Sequence, residues 1–524
     1  MLKEATYYSR MAWHWGKFVR MPAIQDPQKP LREQLARREE NFVELLRTAI
    51  FENPRTPYHD LFQLAQCTFS DLQTAVRKNG IEATLKELRD AGVHLTHEEV
   101  KGGTVVRHGK EIRNDAAATG NPNAPAGMET VSGGSRSKGL ATSSSNEYRY
   151  HREHYELLSQ INLGVMERVA GVLMAILPSP AALTGMAGYA RMGRPADRWF
   201  VVGRSAQKQA IYAAATRFMV AEANLLGRRI PFPEFLQKDD FLPVARWIGQ
   251  HKQQGRNVFL RTGPSSATRV CTVAQSAGID ISGTSILTSG EAISPARRKV
   301  LEASGVETAG RYVISELGSV GIGCTKLQGN SVHLFSDSIA AIVHRRPAPY
   351  VDADVNSLLL TSVSPYASRV LINADMEDAA TLTTSTCGCL FHQTGFTTVL
   401  QDVYSFGKLS GHASTLAGEV LLTILEERMP ARFGGHPGDY QLVEKEAESQ
   451  LELELRVSSR TGAADVAALK EYFLEQVRSL YGGNLTARTW EASSALKVVI
   501  AEPHKTRSGK VHALHLSAFG GHKA

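Results

Sequence analysis

Residues 258–303 read VFLRTGPSSATRVCTVAQSAGIDISGTSILTSGEAISPARRKVLEA. The apolar runs Val258 to Leu260 and Ser285 to Leu287 are short enough to be buried strands. Between and after them, Pro264 to Ala277 and Pro295 to Ala303 carry apolar residues at helical spacing. Trp199 to Val202 followed by Ser205 to Asn224 repeats the pattern upstream. Strand–helix alternation predicts an α/β fold whose sheets are mostly parallel and covered on both faces. No internal repeat is visible.

Toward the N-terminus, Leu31 to Phe51 and Thr68 to Ala91 predict amphipathic helices, with Asp71 in the first turn of the second. Asn114 to Gly127 is rich in Gly, Asn, Pro and Ala and reads as a loop. Val169 to Ala190 carries no charge and is long enough to cross a bilayer. Pro178 and Pro180 interrupt it, so a buried helix, a turn and a buried strand are expected instead. After about Phe406 the pattern changes. A helix over Ser414 to Glu427, alternation over Tyr440 to Val457, a helix over Ala464 to Tyr481 and a strand over Ala495 to Ala501 predict a small α+β domain. The expected division is 1–407 and 408–524, with a Gly-rich basic tail at the end.

The 524 residues suffice for two or three domains, and 43% hydrophobic with 21% charged residues excludes wholesale disorder. A net charge of +7 comes from 59 basic residues spread among 52 acidic ones. That balance does not indicate nucleic-acid binding, but it suits small polyanions. Five cysteines are no disulfide framework, and the odd count points to a reducing compartment. Met1 to Arg20 lacks the apolar core of a signal peptide, so a cytoplasmic protein without a membrane span is expected.

Four segments carry residue types suited to a nucleotide. Thr130-Val-Ser-Gly-Gly-Ser-Arg-Ser-Lys-Gly139 offers amides, hydroxyls and two cations to phosphates, and equally reads as a Gly/Ser linker. It is not a Walker A loop. In Arg311-Tyr-Val-Ile-Ser-Glu316 a Tyr face can stack on a purine, the Ser315 hydroxyl can reach a phosphate, and Glu316 can hold Mg²⁺. It also reads as a strand end with a charged cap. Ala374-Asp-Met-Glu-Asp378 offers carboxylates to ribose hydroxyls or is an acidic turn. Pro503-His-Lys-Thr-Arg-Ser-Gly-Lys510 can deliver a cation to developing charge or is a basic tail.

In this order the segments resemble the adenylate-forming (ANL) superfamily, and within it the phenylacetate-CoA ligase-like branch, over nearly the whole chain from about Phe51. Asn53 to His59 is similar to that branch's N-terminal segment, and Leu287 to Glu291 to its adenine-side strand. Tyr312 to Glu316 resembles the Y-G-x-T-E motif, and Leu358 to Ser362 the strand before the ribose-binding Asp. Gly407-Lys408 resembles the hinge G-R, and Pro503 to Lys510 the P-x-x-x-S-G-K ending.

The resemblance implies a large adenylation domain and a small mobile C-terminal domain carrying a catalytic Lys510. Ser132, Gly133, Gly134, Ser135, Arg136, Ser137 and Lys138 would then handle phosphates. Gly290, Glu291 and Tyr312 would face adenine, Asp378 the ribose, Glu316 the Mg²⁺, and Lys408 would mark the hinge. The implied reaction is ATP-dependent activation of a carboxylic acid through an acyl adenylate, followed by transfer to coenzyme A. Departures from the family pattern are Gly134-Ser135-Arg136 for T-T-G, Val313 for Gly, Asn373 for Arg, and no acid in the hinge. Transfer to a carrier protein or an amine, or nucleotide binding without ligase activity, are the rival readings. Expected partners are the small acid and CoA or a carrier protein, with a homodimer left open.

Cys324, His333 and Cys387-Gly-Cys389 supply three thiols and an imidazole, the set of a closed structural zinc site or of reduced buried thiols. The related ligases are similar in placing Cys and His at these two loops. Tyr148-Arg-Tyr-His-Arg-Glu-His-Tyr155 reads as a solvated helix start.

Overall fold

The computed structural model describes residues 2–125, 127–131, 141–202, 207–237, 240–347, 354–405, 418–447, 450–479, 496–505 and 511–517. Among them, twelve strands form one sheet. Its parallel half runs Pro233–Leu236, Arg198–Val202, Val169–Leu173, Val258–Thr262, Ser285–Ser289 and Glu307–Ile314. The chain moves outward from Val169–Leu173 in one direction, then returns to Val258–Thr262 and moves in the other. That reversal is the switch point at which α/β sheets open a crevice beyond their strands' carboxyl ends. Helices Ala181–Arg191, Gln207–Leu225, Leu242–Gln253, Pro264–Ser276 and Pro295–Ala303 make the crossovers.

The other half is antiparallel: Gly318–Ile322, Val332–Leu334, Thr398–Ser405, Ala374–Thr384, Asp354–Ser362 and Ile339–Pro347. The α/β expectation holds, and the mostly parallel sheet extends over only half of it. The reason is connection length. Ile314 and Gly318 are joined by a short turn, with no room for the dozen or more residues that a parallel return requires.

Several predicted elements are subdivided. Leu31 to Phe51 becomes helices Gln28–Ala36 and Arg38–Leu46 and the π turn Arg47–Phe51. Thr68 to Ala91 splits into Phe69–Asn79 and Ile81–Asp90 because Gly80 takes φ +79°, outside helical space. At its start the Thr68 hydroxyl accepts the Asp71 N–H at 3.2 Å, and the Asp71 carboxylate accepts the Thr68 N–H at 2.9 Å. Replacing Thr68 with Ala should cost about 1 kcal/mol, read from the denaturant midpoint. An unchanged midpoint would mean water caps the helix equally well.

The uncharged stretch Val169 to Ala190 is a buried strand first, then a turn, then a helix. No described helix is long and apolar enough to cross a membrane. The run Tyr148 to Tyr155 corrects expectation. Helix Asn146–Asn162 does begin there, capped by Ser145, but Tyr148, Arg149, His151, Glu153, His154 and Tyr155 are buried. Tertiary partners make this affordable: Glu153 accepts from Arg191 at 2.7 Å, Glu156 pairs with Arg311, and Tyr155 donates to Asp337 at 2.6 Å.

Toward the C-terminus a second sheet orders Leu496–Ile500, Gln450–Val457, Tyr440–Ala447 and Leu514–Ser517. The alternating run Tyr440 to Val457 is its hairpin, and helix Val466–Arg478 packs on it around Leu442, Leu455, Phe473 and Val477. Sequence reading missed the strand in the basic tail. The expected helix Ser414 to Glu427 is described from Gly418, and its second half, Ile424–Arg428, is π-wound.

Candidate functional site

Strand Glu307–Ile314 lies parallel to Ser285–Ser289 and turns back beyond its carboxyl end. That end carries Tyr312, Ser315 and Glu316. The Tyr312 hydroxyl donates to Asp378 Oδ2 at 2.6 Å, joining residues from two strands of different halves of the sheet. Burial, and then the Asp378 charge, push the Tyr312 hydroxyl well above the usual phenol range, so it stays a donor. Glu316 is 6% exposed, whereas Ser315 is exposed at the turn.

Tyr148 holds this turn from below. Its hydroxyl accepts the Ser319 N–H at 3.0 Å, and a Cβ on Gly318, at φ +86°, would lie 1.6 Å from that oxygen. Glycine is therefore required at 318. Sequence reading did not single out Gly318. Tyr148 entered only as part of a helix start.

The acidic run Ala374 to Asp378 is divided by a bulge in its strand, where Glu377 takes φ +61°. Asp375 accepts from Arg346 at 2.7 Å and from Ser357 at 2.9 Å, leaving Asp378 to Tyr312. Asn373 donates to the carbonyls of Leu85 and Val93 at 2.8 and 3.1 Å, so it anchors the N-terminal helices.

Gly290, at φ +90°, and Glu291 follow the strand Ser285–Ser289. Glu291 accepts from Ser265 at 2.6 Å and pairs with Arg297 at 2.6 Å. Arg297 also pairs with Glu426 at 2.8 Å and donates to the Val511 carbonyl at 3.1 Å. Glu291 thus joins a buried ionic knot that ties the C-terminal elements to the end of the parallel sheet. The sequence did hold a signal for it. A cation in the first turn of helix Pro295–Ala303 opposes the helix dipole and calls for acidic partners.

Ser132, Gly133, Gly134, Ser135, Arg136, Ser137, Lys138, Lys408 and Lys510 lie outside the described residues. Their described neighbours are informative in two cases. Met128–Val131 pairs antiparallel with Ala141–Ser144, Val131 opposite Ala141, so a hairpin brackets the Gly/Ser segment. Val511 donates its N–H to Ser265 at 3.4 Å as well as accepting from Arg297.

Cys324, His333, Cys387 and Cys389 converge, their ligand atoms all within 4.8 Å of one another. His333 Nε2 lies 3.2 Å from Cys389 Sγ and 3.5 Å from Cys387 Sγ. Its Nδ1 faces the Phe396 carbonyl at 2.8 Å, which favours the tautomer that presents the Nε2 lone pair. The hydrogen bond from Cys389, aided by His333, pushes the Cys324 thiol down toward the thiolate that binds metals.

No protein-family model matches the chain, and no curated protein matches it in sequence. Among solved structures, 2-hydroxyisobutyryl-CoA ligase in complex with 2-HIB-AMP and CoA is similar at 15% identity and a TM-score of 0.47. That match covers 93% of this chain and 90% of the other. O-succinylbenzoate coenzyme A synthetase from Bacillus subtilis, in complex with ATP and magnesium, is 12% identical at TM-score 0.40, over 88% and 82% of the two chains. McyG A-PCP complexed with phenylalanyl-adenylate is 10% identical at TM-score 0.44, over 84% and 63%.

Proposed function

We propose that this chain is an AMP-forming carboxylic acid ligase that uses ATP, Mg²⁺ and, as acceptor, coenzyme A. The observation that carries the reading is the convergence of Tyr312 and Asp378, far apart in sequence, beside the buried Glu316 at a parallel strand's carboxyl end. A purine would lie against Tyr312 with its ribose hydroxyls on Asp378. A carboxylate is a strong, two-oxygen acceptor for such hydroxyls. Glu316 would hold Mg²⁺, a hard cation that takes oxygen ligands.

A substrate carboxylate oxygen would attack the α-phosphorus of ATP, forming an O–P bond as the α–β bond breaks and pyrophosphate leaves with the electron pair. The CoA thiolate would then attack the acyl carbon and release AMP. In the first step the protein's task is to align two anions and offset their charge. Ser132 to Lys138 would meet the β- and γ-phosphates, and Lys510 the carboxylate and α-phosphate. Residues 1–407 would form the adenylation domain, and 408–524, hinged at Lys408, would bring in Lys510. Pyrophosphate release that depends on an added carboxylate, screened over aryl and alkyl acids, tests the reading. ATP binding without such release would leave only a nucleotide-binding protein. Product mass with CoA, a carrier protein or an amine identifies the acceptor.

Cys324, His333, Cys387 and Cys389 would hold a structural zinc. Tetrahedral Zn–N and Zn–S bonds of about 2.0–2.3 Å place the ligand atoms of such a set roughly 3.5–3.8 Å apart, and His333 Nε2 lies 3.2 and 3.5 Å from the Cys389 and Cys387 Sγ atoms. Four protein ligands leave no open position for chemistry, so the ion would join loops from three parts of the chain. Metal analysis should give about one zinc per chain, lost in Cys387→Ser together with several degrees of thermal stability. A metal-free, equally stable wild-type protein would return the four residues to ordinary buried thiols.

A further inference from the structure

Helix Gln207–Leu225 is apolar on two opposite sides, and only one of them is covered. Thr216, Met219, Val220 and Ala223 face the core. On the other side Ile211, Phe218 and Leu225 are 59%, 62% and 88% exposed. With Ala214 and Ala221 they fall at intervals of three and four, which is the a/d seam of a coiled coil over two heptads. Here one side lacks its partner among the described residues.

We propose that this seam packs against the same helix of a second copy of the chain, in parallel about a two-fold axis. The flanking charges select that occupant. Arg217 takes the g position on one side of the seam, and Glu222 takes the e position on the other. In a parallel pair, g of one helix meets e of the next five residues on. Arg217 would then meet Glu222 of the second copy, and the reverse, as an isologous interface requires. Within the chain Arg217 lies over the Phe235 ring, and Glu222 lies beside Gly16 of the N-terminal helix, where the Arg20 charge also acts on it. Alanines at both d positions allow close approach.

Two heptads per copy make a small interface, so a concentration-dependent equilibrium is expected rather than a permanent dimer. Sedimentation velocity of the full chain between ~1 and ~100 μM should show conversion of monomer to dimer. Phe218→Asp with Leu225→Asp should leave monomer only, at an unchanged melting temperature. Arg217→Glu and Glu222→Arg should each weaken the dimer, and the two together should restore it. Ala214→Cys should give an oxidised dimer, because a parallel pair sets the two d positions side by side. A wild-type chain that stays monomeric throughout, a dimer indifferent to Phe218 and Leu225, or a charge exchange without rescue would overturn the proposal. So would Phe218-dependent retention on anionic vesicles by a monomer, which would make this a membrane face.

Discussion

Lys510→Ala should cut acyl-adenylate formation on the order of a hundredfold and leave thioester formation from supplied acyl adenylate nearly intact. In the proposed first step, negative charge builds at the α-phosphate between two anions. A single positioned cation there is worth about 3 kcal/mol of transition-state stabilisation, which sets the factor. In the second step that charge leaves with AMP, and a mobile C-terminal domain would have withdrawn the lysine. The neighbouring Val511 is held by Ser265 and Arg297 at the end of the parallel strands. The two half-reactions are measured separately, by pyrophosphate release and by CoA ester formation. A basic tail with no catalytic part predicts no change in either. Equal damage to both would sink the two-position mechanism.

Glu316→Gln should lower Mg-ATP-dependent pyrophosphate release by roughly tenfold or more, about 1.4 kcal/mol in barrier height. The amide keeps the volume of the buried side chain but loses the charge that a hard cation needs. Glu316 also acts electrostatically on Arg369, so a structural contribution must be separated from metal binding. The separating measurement is the Mg²⁺ dependence. Loss of a ligand raises the Mg²⁺ concentration required, while a merely structural defect lowers the melting temperature and leaves that requirement alone. Wild-type rates at limiting Mg²⁺ would remove Glu316 from the site.

Local periodicity determined much of this fold. Most of the strand–helix alternation from Arg198 to Ala303 was legible because those buried strands are short apolar runs and those crossover helices have their own spacing, while strand Pro233–Leu236 and helix Leu242–Gln253 were not read. The capping pair Thr68–Asp71 lies within one turn, and so it too was visible in the chain. The candidate nucleotide residues could be chosen by type and order. What stayed hidden depends on contacts between distant segments. The antiparallel half of the sheet is set by which strands find each other after short turns. The burial of His151, Glu153 and Glu156 looks wrong in sequence and becomes allowed only when Asp337, Arg191 and Arg311 close around their helix. Arg297 in a helix's first turn called for acidic partners, but which ones, Glu291 and Glu426, only the tertiary structure shows, since an ion pair leaves no periodic trace. The helix Gln207–Leu225 was expected from its spacing as part of the segment Ser205 to Asn224. Only the tertiary structure shows that one side of it faces the core and the other faces out, because burial is a property of what packs against a residue and not of the residue itself.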